Sequence, residues 1–70
     1  MNDMQKLKVL LAHWMDHNRE HAEAFHQWAQ RAEECGSGEV ASRLQTAAQE
    51  MKSLNERLRA ARDLIGDSAL

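Results

Sequence analysis

Seventy residues with a net charge of −2 make one small domain at most, and a chain of this size is only marginally stable alone. Cys35 is the single cysteine, so no internal disulfide can staple the fold; there is no proline, and the aromatics stop at Trp14, Phe25 and Trp28. The mixed charge carries no basic stripe with interleaved aromatics, which argues against a nucleic-acid partner, and the longest apolar run, Val9-Leu10-Leu11-Ala12, is far short of the roughly 20 residues of a membrane span.

The first predicted element is a helix over about residues 3–35. Met4, Leu7, Leu11, Trp14, Asn18, His21, Phe25, Trp28, Ala32 and Cys35 recur at a sustained three-four spacing, the signature of a helix with one packed seam. Asp3, or Asn2 before it, fits an N-cap. Cys35-Gly36-Ser37-Gly38 then breaks the pattern. Gly36 suits the left-handed residue that closes a helix, and Ser37 suits the cap of the next one, whose first turn carries Glu39.

The turn spans residues 36–38, and a second helix runs over about 39–65. Its predicted seam passes through Val40, Leu44, Ala47, Met51, Leu54, Leu58, Ala61 and Ile65. Gly66-Asp67-Ser68 ends it, and Ala69-Leu70 reads as a frayed tail. No strand signal appears. Residues 1–70 therefore form a single all-α domain.

Two long helices joined by a short turn fold back antiparallel. Counting outward from the turn sets Trp28 near Ala47, Phe25 near Met51, His21 near Leu54 and Trp14 near Ala61. Large rings thus meet small residues at both tryptophan layers. The tryptophans read as core anchors in that register. The apolar sector of helix 1 runs from Leu11 round to Ala24, with Leu10 inside it, which is wider than one partner helix covers. The expectation is a homodimer in which two hairpins make a four-helix bundle.

Function has to come from His13, His17 and His21, which climb one face at four-residue spacing. Imidazoles at i and i+4 can present two nitrogens to one ion, and zinc, nickel, cobalt and copper all accept them. Asp16 and Glu20 follow three residues after His13 and His17 and could add a carboxylate oxygen or orient a ring. The second helix has neither His nor Cys, leaving Gln49, Glu50, Asn55 or Glu56 as donors across the hairpin. One chain thus offers two or three ligands and no closed site, and a two-fold axis near His17 or His21 would double them. The candidate metal residues are His13, His17, His21 and Glu20, for a divalent transition metal such as nickel or zinc.

Plainer readings stand beside each. His21 shares the seam with Asn18, where polar residues commonly set register, and a hydrogen-bonded interface histidine is as good a reading as a ligand. His17 divides evenly between ligation and packing. His13 lies further out and reads better as solvated. His26 falls on the polar side and has no assigned role. Cys35 reads as a small apolar residue beside the turn, and Arg57, Arg59 and Arg62 with Glu56 and Asp63 as a solvated charged face.

Catalysis finds little support. Ser37, Ser42 and Ser53 are far from any histidine in a hairpin register, and no phosphate-binding glycine loop follows a strand. Glu-x-x-His occurs once, at Glu23-Ala24-Phe25-His26, where a carboxylate-bridged di-iron bundle needs it on two helices. The chain reads as no enzyme. A lone thiol and the lack of a leader pattern after Lys6 and Lys8 place it in the cytoplasm.

Residues His13 to Ala29 fit the pattern HWxxHNxxHAxxFxxWA. In this run the chain resembles an uncharacterised prokaryotic helical-hairpin domain, and the C-terminal extension of CooT-like nickel-binding accessory proteins. The resemblance covers about the first half, and the glycine turn with a second apolar helix is similar too. It implies a place near nickel handling, with His13, His17 and His21 at the histidine positions of the family. Nothing here resembles the β-rich metal-binding part of those proteins.

The leading expectation is therefore a small non-enzymatic module with a His-lined metal site. Its rival is a purely structural dimerisation or protein-interaction module whose histidines tune packing, and a third reading is a pH-responsive assembly switch. The partners expected are a second copy and, beyond it, a partner protein, with neither nucleic acid nor membrane.

Overall fold

A computed structural model of the chain describes residues 2–66. Helix α1 spans Asp3–Glu34 and helix α2 spans Gly38–Ile65, and there is no strand among the described residues. The all-helical hairpin expected from the periodicity is what forms, with helix bounds within a residue of those expected. The reading of Asp67 to Leu70 as a helix stop and frayed tail lies outside the described residues.

Asn2 is the N-cap of α1. Its Oδ1 accepts the Gln5 N–H at 2.8 Å, while Gln5 Oε1 accepts the Asn2 N–H at 3.0 Å. This reciprocal box satisfies backbone donors that the first turn would otherwise leave unpaired. At the other end the chain closes α1 by a Schellman arrangement. The Ser37 N–H donates to Ala32 O at 2.8 Å and the Gly36 N–H to Glu33 O at 3.0 Å. Gly36 takes the left-handed residue at φ 84°, as its place in the sequence suggests. Ser37 does occupy the N-cap position of α2, yet its side chain makes no capping hydrogen bond. At φ −101°, ψ 67° it is off the extended backbone that usual N-caps adopt.

The two helices lie side by side in a hairpin measuring 52 × 16 × 12 Å, as expected for a helix of 32 residues rising about 1.5 Å each. Where they meet, the seam is turned by one residue from the expected one on both helices. The buried apolar side chains among the described residues are Leu11, Met15, Ala22, Ala29, Ala41 and Ala48. Asn18, Phe25 and Ala32 on α1, with Leu44, Met51, Leu58 and Ile65 on α2, are partly buried along the same line. Four of the six buried residues are alanines, so the backbones approach closely and little apolar volume fills the space between them. Near mid-hairpin the register is held by amides. Asn18 Nδ2 donates to Asn55 Oδ1 at 3.0 Å, and Asn55 Nδ2 donates to Met15 O at 2.9 Å. The open end is tied by Lys8 Nζ, which donates to Gly66 O at 3.2 Å and sets a cation at the negative end of α2.

The consequence for the large rings is a correction. Trp14 and Trp28 are not core anchors of the hairpin. They are 42% and 57% exposed, because the alanine seam takes the positions next to them.

Candidate functional site

Leu10, Trp14, His17, His21, Phe25 and Trp28 follow one another along a single flank of α1, by the 100° step of the helix. The same step puts Val40, Ala47, Leu54 and Ala61 on the flank of α2 that turns the same way. Phe25, Ala47, Met51 and Leu54 line one shallow groove of about 540 Å³, edged by Glu50, Ser53 and Arg57, so the two flanks form one continuous face. Leu10, Val40 and Leu54 on that face are 44%, 53% and 43% exposed. Val9 and Leu64 are exposed as well, but the helical step sets them away from it. Arg31 stacks its guanidinium on Trp28, 4.6 Å from the ring centroid, and covers one end of the face.

The histidines form a continuous column along this face. His13 and His17 have ring centroids 5.4 Å apart with planes at 27°, and His17 and His21 are 5.7 Å apart at 77°. His21 in turn stacks on Phe25 at 6.1 Å and 25°, which ties the polar column to the apolar groove. All three histidines are exposed, with His13 furthest round the helix from the seam. His26 is on the opposite flank, lining a smaller groove with Asn18, Ala22 and Lys52.

The other donors expected from the sequence separate here. Asp16 is held by Arg19, whose Nη2 donates to Asp16 Oδ1 at 2.7 Å on an exposed turn. Asn55, counted among the donors that could reach across the hairpin, spends its amide on Asn18 and Met15 O. Glu20 is exposed next to His21. Among the described residues no three or more His, Cys, Asp or Glu side chains gather closely enough to hold a metal ion. The pair of asparagines went unread as a pair, although Asn18 alone stood out as a polar residue in the seam.

Residues 7–65 match the model of a family described as a domain of unknown function, DUF8180. The chain is also 38% identical over 63 residues to an uncharacterized protein of the archaeon Archaeoglobus fulgidus, covering 90% of this chain and the whole of that one. No solved structure matches it. No helix among the described residues is long and apolar enough to cross a membrane.

Proposed function

We propose, for a chain that belongs to the family of domain of unknown function DUF8180, that it is a non-enzymatic self-association module. Two hairpins pair through the Leu10–Trp14–Trp28–Leu54 face to make a four-helix bundle. The observation that carries this reading is the split in side-chain size. Four of the six buried side chains among the described residues are alanines, whereas Leu10, Trp14, Trp28, Val40 and Leu54 lie uncovered on one side of the hairpin.

Areas support a second copy as the occupant. The chain exposes 5336 Å², whereas a compact monomer of 8.0 kDa exposes about 4,450 Å². The surplus is close to the roughly 800 Å² that each partner contributes to a stable interface. The radius of gyration of 15.9 Å, against about 11 Å for a compact chain of this length, reflects the elongated hairpin. Laying a second hairpin on the apolar face thickens the molecule along its thinnest directions and covers both indoles at once.

Light scattering on the full chain at micromolar concentration tests this. A mass of twice 8.0 kDa is expected. The Trp14→Ser, Leu54→Ser variant is expected to fall to the mass of one chain while keeping its helical circular dichroism at high protein concentration. A wild type that stays monomeric overturns the reading, and one that gains mass only with another protein present makes the face a hetero-partner site.

The HWxxHNxxHAxxFxxWA run of residues 13–29 favours a second, finer reading. We propose on that pattern a kinship with the C-terminal extension of CooT-like accessory proteins, which sets the module beside nickel handling. The exposed thiol of Cys35 supports a reducing, cytoplasmic setting.

A further inference from the structure

We infer that two paired chains complete a divalent transition-metal site from His17 and His21 of each, an inference that rests on the self-association reading. Two imidazoles sharing one ion, each nitrogen about 2.0–2.1 Å from it, bring their ring centres to roughly 5 Å of one another. His17 and His21 already stand at 5.7 Å, on adjacent turns of a helix, with their planes at 77°. Small rotations about their side-chain torsions aim both nitrogens at a common point. His13 and His17 are as close at 5.4 Å, but their rings are stacked nearly parallel and His13 lies further from the apolar face. The column thus divides into an inner pair suited to an ion and an outer ring that packs on it.

The inner pair is half of a tetrahedral set. The rest of the same chain does not supply the other half. Helix α2 has no His or Cys, Asn55 is engaged by Asn18 and Met15 O, and no three His, Cys, Asp or Glu side chains gather among the described residues. The pair instead borders the face that the second copy covers, where Leu10, Trp14 and Phe25 are its neighbours on the helix. A two-fold axis beside it brings an identical pair from the opposite side, and four imidazole nitrogens enclose the ion. Four neutral imidazoles suit the later first-row ions, zinc, nickel and copper, over calcium or magnesium, which take oxygen.

Calorimetric titration of zinc and of nickel chlorides into the full chain, with the mass followed by light scattering, decides the matter. The expected result is one ion per two chains, abolished in His17→Ala, His21→Ala and retained in His13→Ala. The double variant keeps the dimer mass without metal, so that loss of the ion is separated from loss of assembly. No heat from a dimeric wild type overturns the site and leaves the self-association reading standing. One ion per chain, still bound by the monomeric Trp14→Ser, Leu54→Ser variant, overturns the bridging arrangement. A wild type monomeric with and without metal overturns both readings.

Discussion

Asn18 and Asn55 are the residues whose position in the seam is least explained by apolar packing. Each is partly buried, and between them they satisfy one amide contact and one backbone carbonyl. Their geometry is specific: shifting one helix by a residue along the other separates both bonds, whereas alanine against alanine tolerates a slip. The amides therefore set register in a seam that is otherwise smooth. Asn55→Ala is expected to destabilise the hairpin by about 1–2 kcal/mol, since it strands the Asn18 amide in a partly buried place. Asn18→Ala should cost less, because Asn55 keeps its bond to Met15 O. Replacing both by leucine restores stability, and it broadens the amide resonances of α1 as alternative registers become populated. Urea denaturation and a nitrogen-proton correlation spectrum of the four proteins check this, and equal costs for the two single variants would sink the assignment. By contrast the Asp16–Arg19 pair is about 70% exposed at both ends, so Arg19→Ala should leave stability nearly unchanged.

At the scale of the elements, the glycine close of α1 is where sequence and conformation agree most closely. Gly36 holds φ 84° with open space where a Cβ would stand. Gly36→Ala therefore introduces no clash and isolates the backbone cost. It is expected to lower stability by about 1–2 kcal/mol, read as a lower urea midpoint at unchanged slope. The helices and this turn were legible because capping residues and glycine act locally, through their own φ and the first unpaired donors. The phase of the seam was not. Leu11, Asn18, Phe25 and Ala32 belong to two three-four patterns at once, one continued by Trp14, His21 and Trp28, the other by Met15, Ala22 and Ala29. Leu44, Met51, Leu58 and Ile65 are shared in the same way on α2. Period alone cannot separate the two, and size favours the wrong one for the hairpin. Alanines win the intrachain contact because they let two backbones close together along their whole length. The sequence set His13 further out than His17 and His21, but the tilt between neighbouring rings is a matter of side-chain torsions that uniform spacing does not carry.

For the whole molecule, the question is what a hairpin with so thin a core needs in order to persist. Among the described residues, Leu11, Met15 and four alanines are the buried apolar side chains. At about 25 cal/mol per Å² their burial offsets only part of the cost of ordering 65 described residues, at about 1–2 kcal/mol for each backbone. Covering some 800 Å² more per chain adds an apolar contribution that the hairpin lacks. In the proposed dimer, association adds to the stability of a marginal hairpin, and stability depends on concentration by mass action. The melting midpoint of the wild type is expected to rise by a few degrees for each tenfold increase in protein, since a factor of ten corresponds to about 1.4 kcal/mol. Tryptophan emission should shift to longer wavelength in the same transition, because Trp14 and Trp28 would leave the proposed interface as the helices melt. A midpoint independent of concentration, with emission already at the wavelength of a solvated indole before melting, would mean that the hairpin stands alone. The core would then have to be worth more than its alanines suggest, and the uncovered face would need another occupant.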